Sequence, residues 1–364
     1  MIIDLPWKGR DVPCAILDIL RGCNARCAFC YNQDKPHCKR LDDIRKELDE
    51  LCRLRNLQAV MVSGGEPMMH PDYLEVVRMV KAKGLVAIVL TNGILLDSNT
   101  VSELKYVGCD LCYLHIQSGQ VRDDLPLGNG WDEAHALMLK KSALLVSSGI
   151  RAGCCVTLTA DDEGGIAREC NAFFANQNLT NMLITTARSA ADFDLPSCPD
   201  LPIDELLARF KSVGLVPFAS LSGKIDKQTR RWFSFQVVEA RLLDGSLLRR
   251  VSLRASFGEL LGMKLQRLMR GRYDFTLPPM SNAFLRARLL LNAITGGEFA
   301  SSITLALSRG VKLTFRNVAL DVPPYRRTDG RIEFCEDCPG AILKNGQLRP
   351  LCLSDIALPE EFKI

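Results

Sequence analysis

The chain has 364 residues, 47% of them hydrophobic and 24% charged, with a formal net charge of +4. That length and composition fit one large α/β domain plus a smaller appendage. No run of 18 or more apolar residues occurs, which argues against a spanning helix, and residues 1–7 lack the basic start and apolar core of a secretory signal. The 15 cysteines therefore argue for a reducing, cytoplasmic setting and against a disulfide framework.

Residues 14–20 read as a buried strand. Past the loop that follows, apolar runs alternate with helical periodicities. Helices are expected over 42–54, 71–83, 99–106, 131–148 and 163–176, the second with Pro71 at its start. Strands are expected over 59–62, 86–90, 111–116, 152–158 and 182–185. Fully apolar strands separated by helices imply a parallel sheet with covered faces. Right-handed crossovers curl such a sheet into a barrel or part of one, with its site at the C-terminal strand ends. Residues 191–203, rich in Pro and Asp, read as a linker or lid. Beyond them, strands are expected over 232–240 and 247–253 around an Asp244-Gly245 turn, and amphipathic helices over 257–269 and 282–294.

Cys23, Cys27 and Cys30 stand at the spacing C-x3-C-x2-C. Three thiolates so placed suit three corners of a 4Fe-4S cluster, and thiolates also suit zinc. Cys335, Cys338 and Cys352 form a second triple, C-x2-C-x13-C, for which a zinc knuckle is the alternative. An Asn345-Gly346 turn leads toward Cys352. Cys198, in the Pro/Asp loop, is a further thiol that could join this second site. Cys109, Cys112, Cys154 and Cys155 read as small hydrophobes, and His115, beside Tyr113 on one strand, as a core histidine.

The first triple resembles the signature of the radical S-adenosylmethionine (SAM) enzymes. Ser63-Gly64-Gly65-Glu66-Pro67 resembles that family's GGEP motif, and Thr91-Asn92-Gly93 its TNG strand end. The resemblance implies a partial (β/α)6 barrel whose 4Fe-4S cluster leaves one iron open to SAM, which is cleaved to a 5′-deoxyadenosyl radical that abstracts hydrogen. It implies that Phe29 packs by the adenine and that Gly64 and Gly65 let the backbone approach the methionyl group. Glu66 would accept its ammonium, Gln117 and Ser118 would meet the ribose, and Thr91 and Asn92 would contact SAM or close the strand end. Thr157, Thr159 and Arg188 lie at later strand ends, where Arg188 could meet a carboxylate.

The second triple resembles the auxiliary-cluster Twitch domain, in the spacing used by the GTP cyclase of molybdenum cofactor synthesis. The chain departs from that cyclase in lacking a Gly-Gly tail, in Gln117-Ser118-Gly119, and in residues 204–330. The expected organisation is thus a radical SAM barrel over 1–190, a linker and substrate-covering α+β segment over 191–330, and an auxiliary 4Fe-4S domain over 331–364. Residues 200–330 carry 21 Lys and Arg against 11 Asp and Glu. Arg267, Arg270, Arg272, Arg286 and Arg288 flank apolar helical positions there, so an arginine lid over an anionic substrate is expected. Solvated structural arginines are the alternative.

The expectation for function is an oxidoreductase-type radical SAM enzyme acting on a small-molecule or lipid-like substrate, served by an electron donor such as flavodoxin or ferredoxin, with no nucleic-acid partner. A ribosomal-peptide maturase and a metal-binding scaffold without turnover are the alternatives. With the first barrel strand read at residue 14, no leader-binding or cobalamin-binding domain is expected before it, and a separate leader-binding protein could supply the former role.

Overall fold

The computed structural model describes residues 2–27, 30, 37–158, 162, 164–186, 203–295 and 298–353. The first part of the chain contains β1 (Ile3–Asp4), β2 (Cys14–Leu20), α1 (Leu41–Leu54), β3 (Ala59–Gly64), α2 (Tyr73–Ala82), β4 (Val86–Thr91), α3 (Ser98–Tyr106) and β5 (Leu111–Leu114). Then follow α4 (Trp131–Ser147), β6 (Arg151–Leu158), α5 (Gly165–Ala175), β7 (Leu179–Thr186), α6 (Ile203–Ser212), β8 (Ala219–Ser222), β9 (Arg230–Arg241) and β10 (Leu247–Ser252). The last part contains α7 (Phe257–Arg270), α8 (Asn282–Ile294), α9 (Phe299–Leu307), β11 (Lys312–Asp321), β12 (Tyr325–Arg326), β13 (Ile332–Glu333), β14 (Ala341–Lys344) and β15 (Gln347–Pro350).

Strands β2 to β7 are parallel neighbours in chain order. Alternation along β2 shows why they curl around an interior. Ala15, Leu17 and Ile19 pack in the core shared with α1 and α2, while Cys14 and Ile16 join Ala59, Met61, Ile88, Leu111 and Tyr113 in a second apolar cluster on the other face. Successive strand side chains point to opposite faces, so a strand buried on both sides must be apolar throughout. The expected α/β barrel architecture is thus present. The second helix begins at Tyr73, because Pro71 lies in a turn where His70 Nδ1 accepts from Asp72 N.

Residues 219–321 do more than cover this sheet; they extend it. β11 pairs parallel with β7, β9 pairs antiparallel with β11, and β8 and β10 pair with β9. The hairpin of β9 and β10 turns at Gly245, whose φ is +85°. Glu239, fully buried on β9, holds this extension to the barrel. It pairs with Arg316 of β11 at 2.8 Å and with Arg250 of β10 at 3.0 Å. Arg316 Nη1 also donates to the carbonyls of Phe173 and Asn176, at the end of α5.

The expected arginine lid is not what the structure shows. The segment after α7 straps the N-terminal ends of the barrel strands, opposite the Cys23–Cys30 loop. Gln58 accepts from Phe275 N and Thr276 N, and donates to Thr276 O. Arg272 donates to the carbonyls of Leu57 and Gly84, and Arg151 to that of Leu277. The other four expected lid arginines also have partners within the protein: Arg267 pairs with Asp11, Arg270 with Asp274, Arg286 with Ala306 O, and Arg288 with Glu259 and Gln236. Amphipathic spacing located the helices correctly; which acceptors each guanidinium would meet was set by tertiary packing.

After β11 the chain makes two small hairpins, β12–β13 and β14–β15. Asn345 and Gly346 both take positive φ, 52° and 75°, as the two-residue turn between β14 and β15 requires. Ile342 of β14 is buried in the interior cluster with Cys14 and Ile16. Among the described residues no helix is long and apolar enough to cross a membrane.

Candidate metal and cofactor site

β2 delivers the chain at Leu20 into the loop that carries Cys23 and Cys27. The Gly-Gly-Glu run at the end of β3 is sewn to that loop's entrance. Gly65 N donates to Leu20 O at 2.6 Å, and Glu66 N to Gly22 O at 2.9 Å. A Cβ on Gly64 would lie 2.0 Å from Leu20 O, and one on Gly65 2.2 Å from Gly22 O. These contacts leave no space for any side chain, so both glycines serve first to let two backbones touch.

Glu66 is fully buried. Its Oε1 accepts from Met68 N at 3.0 Å and from the Thr91 hydroxyl at 2.9 Å, and its Oε2 accepts from Asn92 N at 2.7 Å. Burial raises its carboxyl above the ordinary glutamate value, and the bonds from Asn92, Met68 and Thr91 oppose that rise. Three of about four acceptor positions on the carboxylate are therefore engaged within the protein.

Asn92 carries the connection onward. Its Nδ2 lies 3.6 Å from Cys23 Sγ and 2.8 Å from Asn24 Oδ1. Ala25 N donates to Cys23 Sγ at 3.4 Å. On the other side of the loop, Arg26 pairs with Val121 through both backbone bonds, and Gln120 Nε2 donates to Cys27 Sγ at 3.3 Å. Burial, with Cys30 and Cys23 nearby, pushes the Cys27 thiol up to about 11. A cation that displaces its proton would reverse that preference. Arg122 binds the assembly together: it is buried, pairs with Asp124, and donates to Gln120 Oε1 and Asn92 O.

Gln117 does not stand free at its strand end. Its Nε2 donates to Thr157 O and its Oε1 accepts from Thr157 N, which continues the β5–β6 ladder through a side chain. Ser118 lines a cavity with Trp131, His135 and Glu169 on the helix-covered side of the sheet. Phe29, Thr159, Arg188 and Cys198 lie outside the described residues. Sequence reasoning missed Gln120, Arg122, Asp124 and Asn129, whose Nδ2 donates to Gln120 O. An Arg followed by acidic residues in the loop after a barrel strand was the available signal.

In the second triple, Cys335 and Cys338 are buried, and Cys352 is half-buried in the 3-10 turn Leu351–Leu353. A hydrogen bond with Cys338, in which Cys335 keeps its proton, and then burial push the Cys335 thiol well up. Asp337, between the two, takes a positive φ of 52°, and its carboxylate accepts from Gly9 N. Among the described residues no three Cys, His, Asp or Glu side chains stand at ion-binding distances. The donors of both triples are nonetheless the thiols that iron–sulfur clusters use.

Residues 17–155 match the family model described as the radical SAM superfamily. They are a radical SAM domain. A tungsten-containing aldehyde ferredoxin oxidoreductase cofactor-modifying protein from Pyrococcus furiosus is 36% identical over 101 residues, which is 27% of this chain and 28% of that protein. A GTP 3′,8-cyclase from Chlorobaculum tepidum is 34% identical over 93 residues, 24% of this chain and 28% of the cyclase. A PqqA peptide cyclase from Bradyrhizobium diazoefficiens is 34% identical over 120 residues, 31% of this chain and 30% of the cyclase. The chain thus spans under a third of these relatives' lengths. Within the radical SAM domain lie the first cysteine triple, Glu66, Asn92, Gln120 and Arg122.

Proposed function

We propose that this protein is a radical SAM enzyme that abstracts hydrogen from a small-molecule or lipid-like substrate, with a second, auxiliary 4Fe-4S cluster in its C-terminal region. When bound, a 4Fe-4S cluster with one open iron supplies the electron that cleaves SAM. Cys23, Cys27 and Cys30 would hold it. The observation that carries this reading is the set of hydrogen bonds joining that loop to the other two motifs. Gly65 and Glu66 anchor its entrance, and Asn92 and Gln120 present N–H groups to the sulfurs of Cys23 and Cys27. Donors to sulfur favour the more negative, reduced form of a cluster and so tune its potential.

In this reading Glu66 uses its remaining acceptor position toward the SAM ammonium while it holds Thr91 and Asn92 in place. Cys335, Cys338 and Cys352 hold the auxiliary cluster, and an external carrier such as flavodoxin or ferredoxin supplies electrons in the cytoplasm. The five arginines engaged within the protein lend no support to an anionic substrate. A peptide substrate is the second reading, favoured by the similarity to the PqqA peptide cyclase.

Replacement of Cys23, Cys27 and Cys30 together by alanine tests the assignment. SAM cleavage should vanish while the iron and sulfide of the C-terminal cluster remain, measured by anaerobic iron counting and electron paramagnetic resonance. Cleavage that survives the triple substitution would overturn it.

A further inference from the structure

We propose that Cys14 is the fourth thiolate of the C-terminal site, completing Cys335, Cys338 and Cys352, and that the buried Arg55 compensates the charge of the cluster they hold. The inference rests on the reading of that site as an auxiliary cluster and adds its closing ligand.

Cys14 opens β2, at the opposite end of that strand from the first cysteine loop. It is fully buried and faces the sheet interior with Ile16. The C-terminal hairpin comes to that face: Ile342 packs in the same cluster, with Leu351 against it. Gly340 marks the meeting point, since a Cβ there would stand 3.6 Å from Ile16 Cδ1 and 3.7 Å from Cys338 Sγ. Leu351 N donates to Gly340 O at 2.8 Å, which ties the turn carrying Cys352 to the same loop.

Arg55 is the second, independent observation. It is 5% exposed. Its Nη1 donates to Cys14 O at 2.6 Å, while its Nε is buried without a hydrogen-bond partner. Among the described residues it forms no ion pair with a carboxylate, and the groups that act on it electrostatically are Cys338, Cys14, Asp337 and Cys335. An arginine stays charged when buried, and an uncompensated buried charge is strongly destabilising. Neutral thiols give no compensation, and of these groups Asp337 alone is a carboxylate. Four thiolates around a 4Fe-4S core leave the site net negative, and a guanidinium beside it then has its counter-charge. Read as a small core hydrophobe, Cys14 accounts for its own burial and leaves Arg55 with the Asp337 carboxylate, outside ion-pair distance, as its counter-charge.

Four protein ligands leave no open iron at this site. It then carries electrons or braces the fold, and substrate does not ligate it.

The test uses the full chain in the Cys23/Cys27/Cys30→Ala background, reconstituted with iron and sulfide, with cyanide as the probe for an open iron. The background protein should hold about four irons per chain, and its paramagnetic spectrum should not respond to cyanide. Adding Cys14→Ala should open one iron, giving a cyanide-sensitive spectrum and loss of about one iron on mild oxidation. A background protein that already responds to cyanide overturns the proposal, whether or not the Cys14 variant folds. Arg55→Met should shift the midpoint potential of the cluster to more negative values, and an unchanged potential removes Arg55 from the assignment. A background protein that takes up no iron ends the auxiliary-cluster reading itself, a result distinct from an open three-cysteine cluster.

Discussion

Glu66 has a structural task that can be separated from any role toward a cofactor. Its two oxygens receive Met68 N, the Thr91 hydroxyl and Asn92 N. Glu66→Gln turns one acceptor oxygen into a donor that must face one of these donors. An unsatisfied buried pair of this kind costs about 1–3 kcal/mol, so the variant should unfold at lower urea even without SAM. The pH dependence follows from burial, which raises the folded carboxyl above 4.5. A raised acid contributes its stability in full below 4.5 and loses it as pH rises through the folded value. The gap between wild type and Glu66→Gln should therefore narrow with rising pH in urea titrations. A gap that widens would mean the three hydrogen bonds outweigh burial. The GGEP resemblance pointed to Glu66 and both glycines from the sequence alone. The near contact of the glycines with Leu20 O and Gly22 O could not be read there, because it joins residues over forty positions apart.

Among the elements, β11 is the informative case. Its sequence Lys312–Asp321 carries Arg316 and Asn317 at its centre, so it lacks the apolar run that identifies β3 or β4. It pairs as a strand because Arg316 finds Glu239 on β9 and two carbonyls at the end of α5. Burial pulls the Arg316 guanidinium down to about 10, and Glu239 opposes that pull. Arg316→Met leaves Glu239 buried with weaker compensation from Arg250 and Arg241. Breaking a buried pair costs about 3–5 kcal/mol, and the loss should appear in a urea melt and as faster amide exchange in β9 and β11. Unchanged exchange there would mean that Arg250 and Arg241 suffice to hold the extension.

Across the whole molecule, the C-terminal hairpin closes the barrel interior. Ile342 sits with Cys14, Ile16 and Met61, residues more than two hundred positions earlier. Ile342→Ala should cost about 2–5 kcal/mol, the usual range for a buried aliphatic side chain, and a urea titration of the full chain measures it. A cost below about 1 kcal/mol would show that the hairpin only rests on the barrel. The alternation of apolar strands and amphipathic helices through residue 186 was legible in the sequence, because burial on two faces leaves a continuous apolar run and burial on one face a 3.6-residue period. The first cysteine triple and its two companion motifs were legible because they occupy short, ordered stretches at strand ends. Tertiary structure alone decided three further matters: that residues 219–321 extend the sheet, that the lid arginines are engaged within the protein, and that Gln120 and Arg122 grip the cysteine loop. Each depends on where a polar group finds its partner. Local sequence sets the period of burial, but hydrogen bonds and ion pairs between distant segments exist only once the chain has closed on itself.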